Sequence, residues 1–241
     1  MLEIRDFTDP VELRSEPIEG GGRRLIASGV AIRYGALSKN LGGYVERFAP
    51  GSATEQLEHR NINAFHEHPD PTPGRGFQGF SRLLGSTDAG TLELRDAGDA
   101  LRYSINLPDT SAGRDAAVLL ERRDIRGASI GFLSDKKADR WTKGSDGLAL
   151  RTVNRIAVLD HIALTCSPAY ASSTSELALR SLAEQGGLEL RAVMEAAEAR
   201  ELGDLVASLE HREDDGEEHQ RHDDGTPPPA PFRRKIAALY L

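Results

Sequence analysis

Up to Ser175 the chain is cut into short apolar or alternating segments by Gly, Pro and Asp, and beyond Ser175 that punctuation stops. The segments "RRLIASGVAIRYG", "INAFHEH", "GTLELRDAGDALRYSINLPD", "IRGASIGFLS" and "LALRTVNRIAVLDHIALTCSP" have the period-two or continuous apolar character of strands, so this part reads as a β-rich domain. "LRDAGDALRY" reads as two strands joined by a turn containing Asp96 and Gly98. Between strands, "SAGRDAAVLLERRD" places Ala116, Leu119 and Leu120 on one helical face, and "SATEQLEHR" is a shorter helix. Beyond Ser175, residues 181–209 are rich in Ala, Glu, Leu and Arg, with an apolar stripe including Leu190, Val193, Ala197, Leu202 and Leu209, and with Gly203 as a break. The acidic, proline-ended run "EHREDDGEEHQRHDDGTPPPAPF" cannot bury enough apolar surface to offset its ordering entropy and is expected to be disordered. The division that follows is an N-terminal arm (1–20), a β domain (21–175), a helical segment (176–209) and a tail (210–241).

Composition removes several function classes. A formal net charge of −8 opposes general nucleic-acid binding, which needs a clustered basic surface. No apolar run approaches a membrane span, and "MLEIRDFTDPVELRSE" lacks the apolar core of a signal peptide. Cys166 is the single cysteine, which excludes an internal disulfide framework and an all-cysteine metal site.

The chemistry-bearing residues sit in strands. Ser129 is a small hydroxyl within "GASIGF". His66 and His68 end "INAFHEH", and if that strand continues, alternation puts both imidazoles on one face with Glu67 on the other. His161 lies in "VLDHIALTCSPAY", sharing a face with Leu159 and Ala163. His66, His68 and Asp70 could begin a zinc site, but H-x-H lacks an evident third and fourth ligand, so no metal or cofactor is expected. His211, His219 and His222 fall in the acidic tail and read as solvated, as does His59 at the end of a polar helix.

The order of motifs resembles the prohead (capsid-maturation) proteases of tailed bacteriophages of the HK97 type, whose fold is related to the herpesvirus assemblin proteases. The resemblance is carried by "GYVERFAPGSAT", then "INAFHEH", "LLGSTDAGTLEL", "LRYSINLPDTSAGRDAAVLLERRDIRGASIGF" and "LDHIALTCSPAY", in that order over residues 25 to 175. It implies a mainly β, α+β fold: a small closed or nearly closed barrel with one or two flanking helices, followed here by the C-terminal helix and the disordered tail. It also implies a serine endopeptidase with Ser129 as nucleophile, His68 as the base and His161 as the orienting group, in a Ser-His-His arrangement like that of the herpesvirus enzymes. His66 is the rival base. Asp160 is the alternative to His161, and strand alternation lets only one of these two serve. The family usually has Asp directly after its histidine, whereas Pro69 follows here, and "PDPTPGRGFQGFSR" is longer than usual.

The implied substrates and partners are the major capsid protein and scaffold of the phage head, and the protease itself. The implied location is the host cytoplasm, inside the assembling prohead; homo-oligomerisation stays open. The small neighbours Gly127 and Gly131 suit close approach of a substrate backbone. The helix and tail would deliver the enzyme into the shell and be released by self-cleavage. Two other readings are a catalytically silent assembly protein of the same fold and a metal-dependent hydrolase built on His66 and His68.

Overall fold

The computed structural model describes residues 2–59, 61–69, 82–165 and 171–218. Strands β1 (Glu3–Phe7), β2 (Glu12–Pro17), β3 (Arg23–Arg33) and β4 (Tyr44–Phe48) precede the short helix α1 (Thr54–His59). Then come β5 (Asn63–His66), β6 (Leu83–Ser86), β7 (Leu92–Asp96), β8 (Ala100–Leu107) and α2 (Ser111–Glu121). Strands β9 (Gly127–Ser134), β10 (Arg140–Lys143), β11 (Ala149–Val153) and β12 (Ile156–Thr165) lead into α3 (Ala171–Gly186), α4 (Leu190–Ala199) and α5 (Leu202–Glu218). The first twenty residues, read from sequence as an arm, supply β1 and β2. Asp70, Cys166, the long "PDPTPGRGFQGFSR" insertion from Asp70 on, the Pro-Ala turn at 168–169 and residues 219–241, with His219 and His222, lie outside the described residues, as do the side chains of His59 and His211.

The fold is mainly β, but among the described residues no sheet closes into a barrel. The strands form three sheets, ordered β1-β9-β12-β5-β6, β2-β3-β8-β7 and β10-β11-β4. Closure needs one continuous ladder with matched tilt and stagger. Here the apolar faces are covered by packing instead: Ala31, Ile32, Leu101 and Ile105 of the four-stranded sheet share a core with Ile130, Phe132, Ile162 and Leu164 of the five-stranded one. Phe48 ties this core together, its ring centre lying 5.9 Å from that of Phe7 in a tilted pair and 5.2 Å from that of Phe132 edge to face.

The two helices expected within the β region are present. Thr110 caps α2 by accepting from the Gly113 N–H (3.3 Å), and Ala112, Ala116, Ala117 and Leu120 form its buried stripe. The turn between β7 and β8 needs Gly98, at φ 81°, with Asp96 accepting from its N–H.

The segment after Ser175 is built into the molecule. Ala178, Leu179, Leu182, Val193, Ala197, Leu202 and Val206 bury against Tyr44, Trp141 and Ala149 of the three-stranded sheet, forming a second core. Its helical path breaks at Gly187, left-handed with φ 60° between α3 and α4, and again at Arg200, whose left-handed φ of 62° ends α4, and not at Gly203. Gly203 lies inside α5, where a Cβ would stand 2.5 Å from the Leu148 carbonyl oxygen; it permits close packing of that helix on the sheet. A chain ended at residue 180 would uncover Tyr44, Trp141 and Ala149. Such a truncation is expected to lose its cooperative thermal transition, as followed by near-UV circular dichroism. A native-like transition would show the helices to be dispensable.

Between the two cores lies a buried ionic cluster. Arg151, fully buried, reaches Glu3 (2.5 Å), Glu46 (2.7 Å) and Asp139 (2.6 Å), and Arg5 reaches Glu46 (2.6 Å) and Glu3 (3.0 Å). Three carboxyls thus face two guanidiniums. Burial would raise the Glu46 carboxyl, but Arg5 and Arg151 together hold it below the usual carboxylate range. At Asp139 burial outweighs Arg151, and its carboxyl is raised. Sequence reading missed the cluster, although it left a trace: Glu46 in "YVERF" and Arg151 in "ALRTV" each occupy a buried phase of an alternating strand.

Candidate active site

The five-stranded sheet gathers the residues singled out in the sequence. β9 lies between β1 and β12, both antiparallel to it, and β12 runs parallel to β5 on its other side. In this register Ser129 faces Ala163 and Gly131 faces His161 across the β9–β12 ladder. Ser129 and Gly131, two residues apart, share a face, so the His161 imidazole stands one step along the strand from the serine. A Cβ at Gly131 would run into that ring, and one at Gly127 would run into the Phe7 carbonyl of β1. The room left by the two glycines, expected to admit a substrate backbone, is taken up by the chain itself.

His68 reaches His161 by a route that strand alternation does not give. β5 ends at His66, Glu67 adopts a left-handed φ of 64°, and the chain folds back. The expectation of both imidazoles on one continued strand face therefore fails. His68 Nδ1 lies 2.8 Å from His161 Nε2, with the rings 5.1 Å apart edge to face. His66 stays at the end of β5, opposite Leu164, and takes no part in this chain of hydrogen bonds.

Asp160 and His161 lie in hydrogen-bond contact, where alternation would turn them to opposite faces. The register of β12 against β9 shifts between Leu159 and His161. A bulge releases its extra residue from alternation, and Asp160 Oδ2 lies 2.8 Å from His161 Nδ1. Gln56, which sequence reading did not single out, supports the irregularity by accepting from the Leu159 N–H (3.3 Å).

Donor and acceptor rules fix the protons along this chain when both rings are neutral. The Asp160 carboxylate only accepts, so His161 Nδ1 carries hydrogen and its Nε2 is an acceptor. His68 Nδ1 must then donate, which leaves His68 Nε2 as a bare lone pair. That atom is buried and has no hydrogen-bond partner among the described residues. Burial, assisted by the neighbouring His161, pushes the His68 imidazole down to about 4, with Glu67 opposing the fall.

Ser129 is fully buried, and its Oγ–H donates to the Arg5 carbonyl of β1 (3.0 Å). No hydrogen bond joins it to either imidazole among the described residues. The structure thus brings together Asp160, His161 and His68, places Ser129 on the same sheet face as the His161 ring, and leaves the serine resting on a backbone acceptor. Among the described residues no three His, Cys, Asp or Glu side chains are grouped to hold a metal ion. No helix among them is long and apolar enough to cross a membrane.

The family comparison agrees with the motif order. No curated protein matches the chain. Among solved structures it is similar to the capsid assembly protease gp21 of bacteriophage T4, at 11% identity and a TM-score of 0.45, over 68% of this chain and 97% of that one. The sequence pattern described as "Caudovirus prohead serine protease" matches residues 10–186, most of the chain. On that match the chain belongs to the caudovirus prohead serine proteases, the phage enzymes of capsid maturation.

Proposed function

We propose that this protease works with Ser129 as nucleophile, His68 as general base and acid, and His161 backed by Asp160 as the pair that holds the base in its reactive tautomer. The observation that carries the reading is the buried Nε2 of His68, without a hydrogen-bond partner among the described residues, whose other ring nitrogen is engaged by His161. An unsatisfied buried nitrogen is costly, and one kept free for a proton has a reason to persist. In the reaction the Ser129 hydroxyl turns from the Arg5 carbonyl to His68 Nε2, gives up its proton there and attacks the scissile carbonyl carbon. His68 then protonates the departing amine, and water hydrolyses the acyl-enzyme by the reverse exchange. As an imidazole, His161 stabilises the imidazolium less than a carboxylate in its place would, but Asp160 behind it supplies a negative charge. The substrates under this reading are the capsid and scaffold proteins of the phage head and the protease chain itself, inside the assembling prohead.

Co-expression with the capsid protein of the same phage, followed by intact mass, tests the proposal. Wild type should give shortened products, and Ser129→Ala should leave every chain at full length. Persistent cleavage in Ser129→Ala removes the serine from its role. The silent-scaffold reading draws on the burial of Ser129 and its bond to Arg5, and full-length chains in the wild type as well would favour it.

A further inference from the structure

We propose that Glu67 is a positioning residue, whose left-handed backbone and carboxylate tether to Thr165 together set the His68 ring on His161. The inference rests on the reading of His68 as the base. In the parallel register of β5 and β12, His66 lies beside Leu164 and Asn63 beside His161. A straight continuation would therefore carry residue 68 five positions past His161, roughly 16 Å away at the usual rise of a strand. It stands instead at 2.8 Å, nitrogen to nitrogen.

The reversal takes place at Glu67, whose φ of 64° is disfavoured for any residue with a Cβ. Strain of that kind persists where the surroundings over-determine it, and two bonds do so here. The Glu67 N–H donates to the Leu164 carbonyl (3.0 Å), and its Oε2 accepts from the Thr165 hydroxyl (2.8 Å). Both partners belong to the end of β12, the strand that carries His161. One strand thus fixes the orienting imidazole and the hinge that delivers the base to it. Pro69, next after His68, adds a fixed φ to the returning chain.

A glycine would adopt this backbone more readily, yet would supply neither tether nor charge. Among the described residues the groups that face His68 are His161 from β12, with Asp160 behind it, and Glu67 on its own loop. Of the influences acting on the His68 imidazole, burial and His161 lower its affinity for a proton, and Glu67 raises it. Glu67 thereby combines aim with basicity.

The test uses the full chain and two readouts. In a Ser129→Ala background, which keeps self-cleavage out, the His68 ring is titrated by nitrogen-15 NMR with Glu67 intact and as Glu67→Gln. The midpoint should fall in Glu67→Gln, which keeps an oxygen for Thr165 and loses the charge; an unmoved midpoint overturns the electrostatic part. With Ser129 present, the rate of its acylation by a p-nitrophenyl ester, which transfers its acyl group to the serine oxygen and releases p-nitrophenol, is followed across pH. Thr165→Val and Glu67→Gly should slow acylation about 10- to 100-fold, the scale of a misplaced catalytic group, and Glu67→Gly should melt no lower than wild type. Glu67→Gly acylated at the wild-type rate with the wild-type pH profile would overturn the positioning role. Acylation that is indifferent to His68→Ala would instead remove the base assignment, while the NMR midpoint would still report whether Glu67 governs the ring.

Discussion

His68→Ala is expected to lower the rate of Ser129 acylation by about 10³- to 10⁴-fold, the span associated with loss of a general base or triad member. His66→Ala is expected to leave the rate nearly unchanged, because His66 lies outside the Asp160–His161–His68 chain. Equal losses in the two variants would remove the distinction. The pH dependence follows from the same burial. With its imidazole pushed down to about 4, His68 stays neutral, and so competent as a base, through the range where an ordinary histidine is gaining its proton. The rate should therefore hold as pH falls from 7 to 5.5 and decline near 4. Stability moves in the same direction: between about 4 and 6.5 the unfolded chain binds a proton at this position and the folded chain does not, so stability is complete above 6.5 and is lost as pH falls towards 4. The amount is on the order of 3 kcal/mol. Urea unfolding of wild type and His68→Gln at a series of pH values would isolate it, since the variant should show a shallower slope in that window. Equal slopes would deny the shift.

Arg151→Met is expected to destabilise the protein by about 3 to 5 kcal/mol, the cost of breaking a buried ionic set by removing one partner. The substitution would leave Glu3, Glu46 and Asp139 around Arg5 alone, in a site where Arg151 and Glu46 are sealed from solvent. The apolar methionine side chain fills the space of the arginine stem but answers none of those carboxyls. A fall in melting temperature of roughly 10 °C or more is the corresponding reading for a chain of this size. Arg33→Ala, which removes a half-exposed pair with Asp9, should cost no more than about 1 kcal/mol. If the two variants melted together, the buried cluster would carry no special weight.

What could be read from the sequence was local. The strands of "GASIGF" and "VLDHIALT", the helix after Thr110 and the turn at Gly98 each announce themselves through neighbours a few residues away. Sheet closure was not legible, because it depends on which edges meet across long stretches of chain, and alternation only says that a face must be buried. The site was misread where the backbone departs from regularity. A two-residue period describes β5 only as far as His66; the sign of φ at Glu67 decides where His68 goes. The same period separated Asp160 from His161 until a one-residue shift in register joined them. Gly127 and Gly131 were recognised as places where something approaches closely, but small residues do not name what approaches, and the occupants are β1 and an imidazole.

The placement of β1 sets a schedule for making the enzyme. Its partner strand β9 lies more than a hundred residues downstream, and at ordinary rates of synthesis on the order of ten seconds pass between the two leaving the ribosome. For that interval the first strand waits unpaired, and its Glu3 and Arg5, later stitched to Arg151 and Glu46, are the charges that discourage a waiting strand from joining a stranger. The same residues that keep the nascent chain apart from its neighbours thus become the lock of the finished sheet. The backbone against which Ser129 rests arrives with that strand, so the serine's surroundings are completed only after most of the polypeptide has been made.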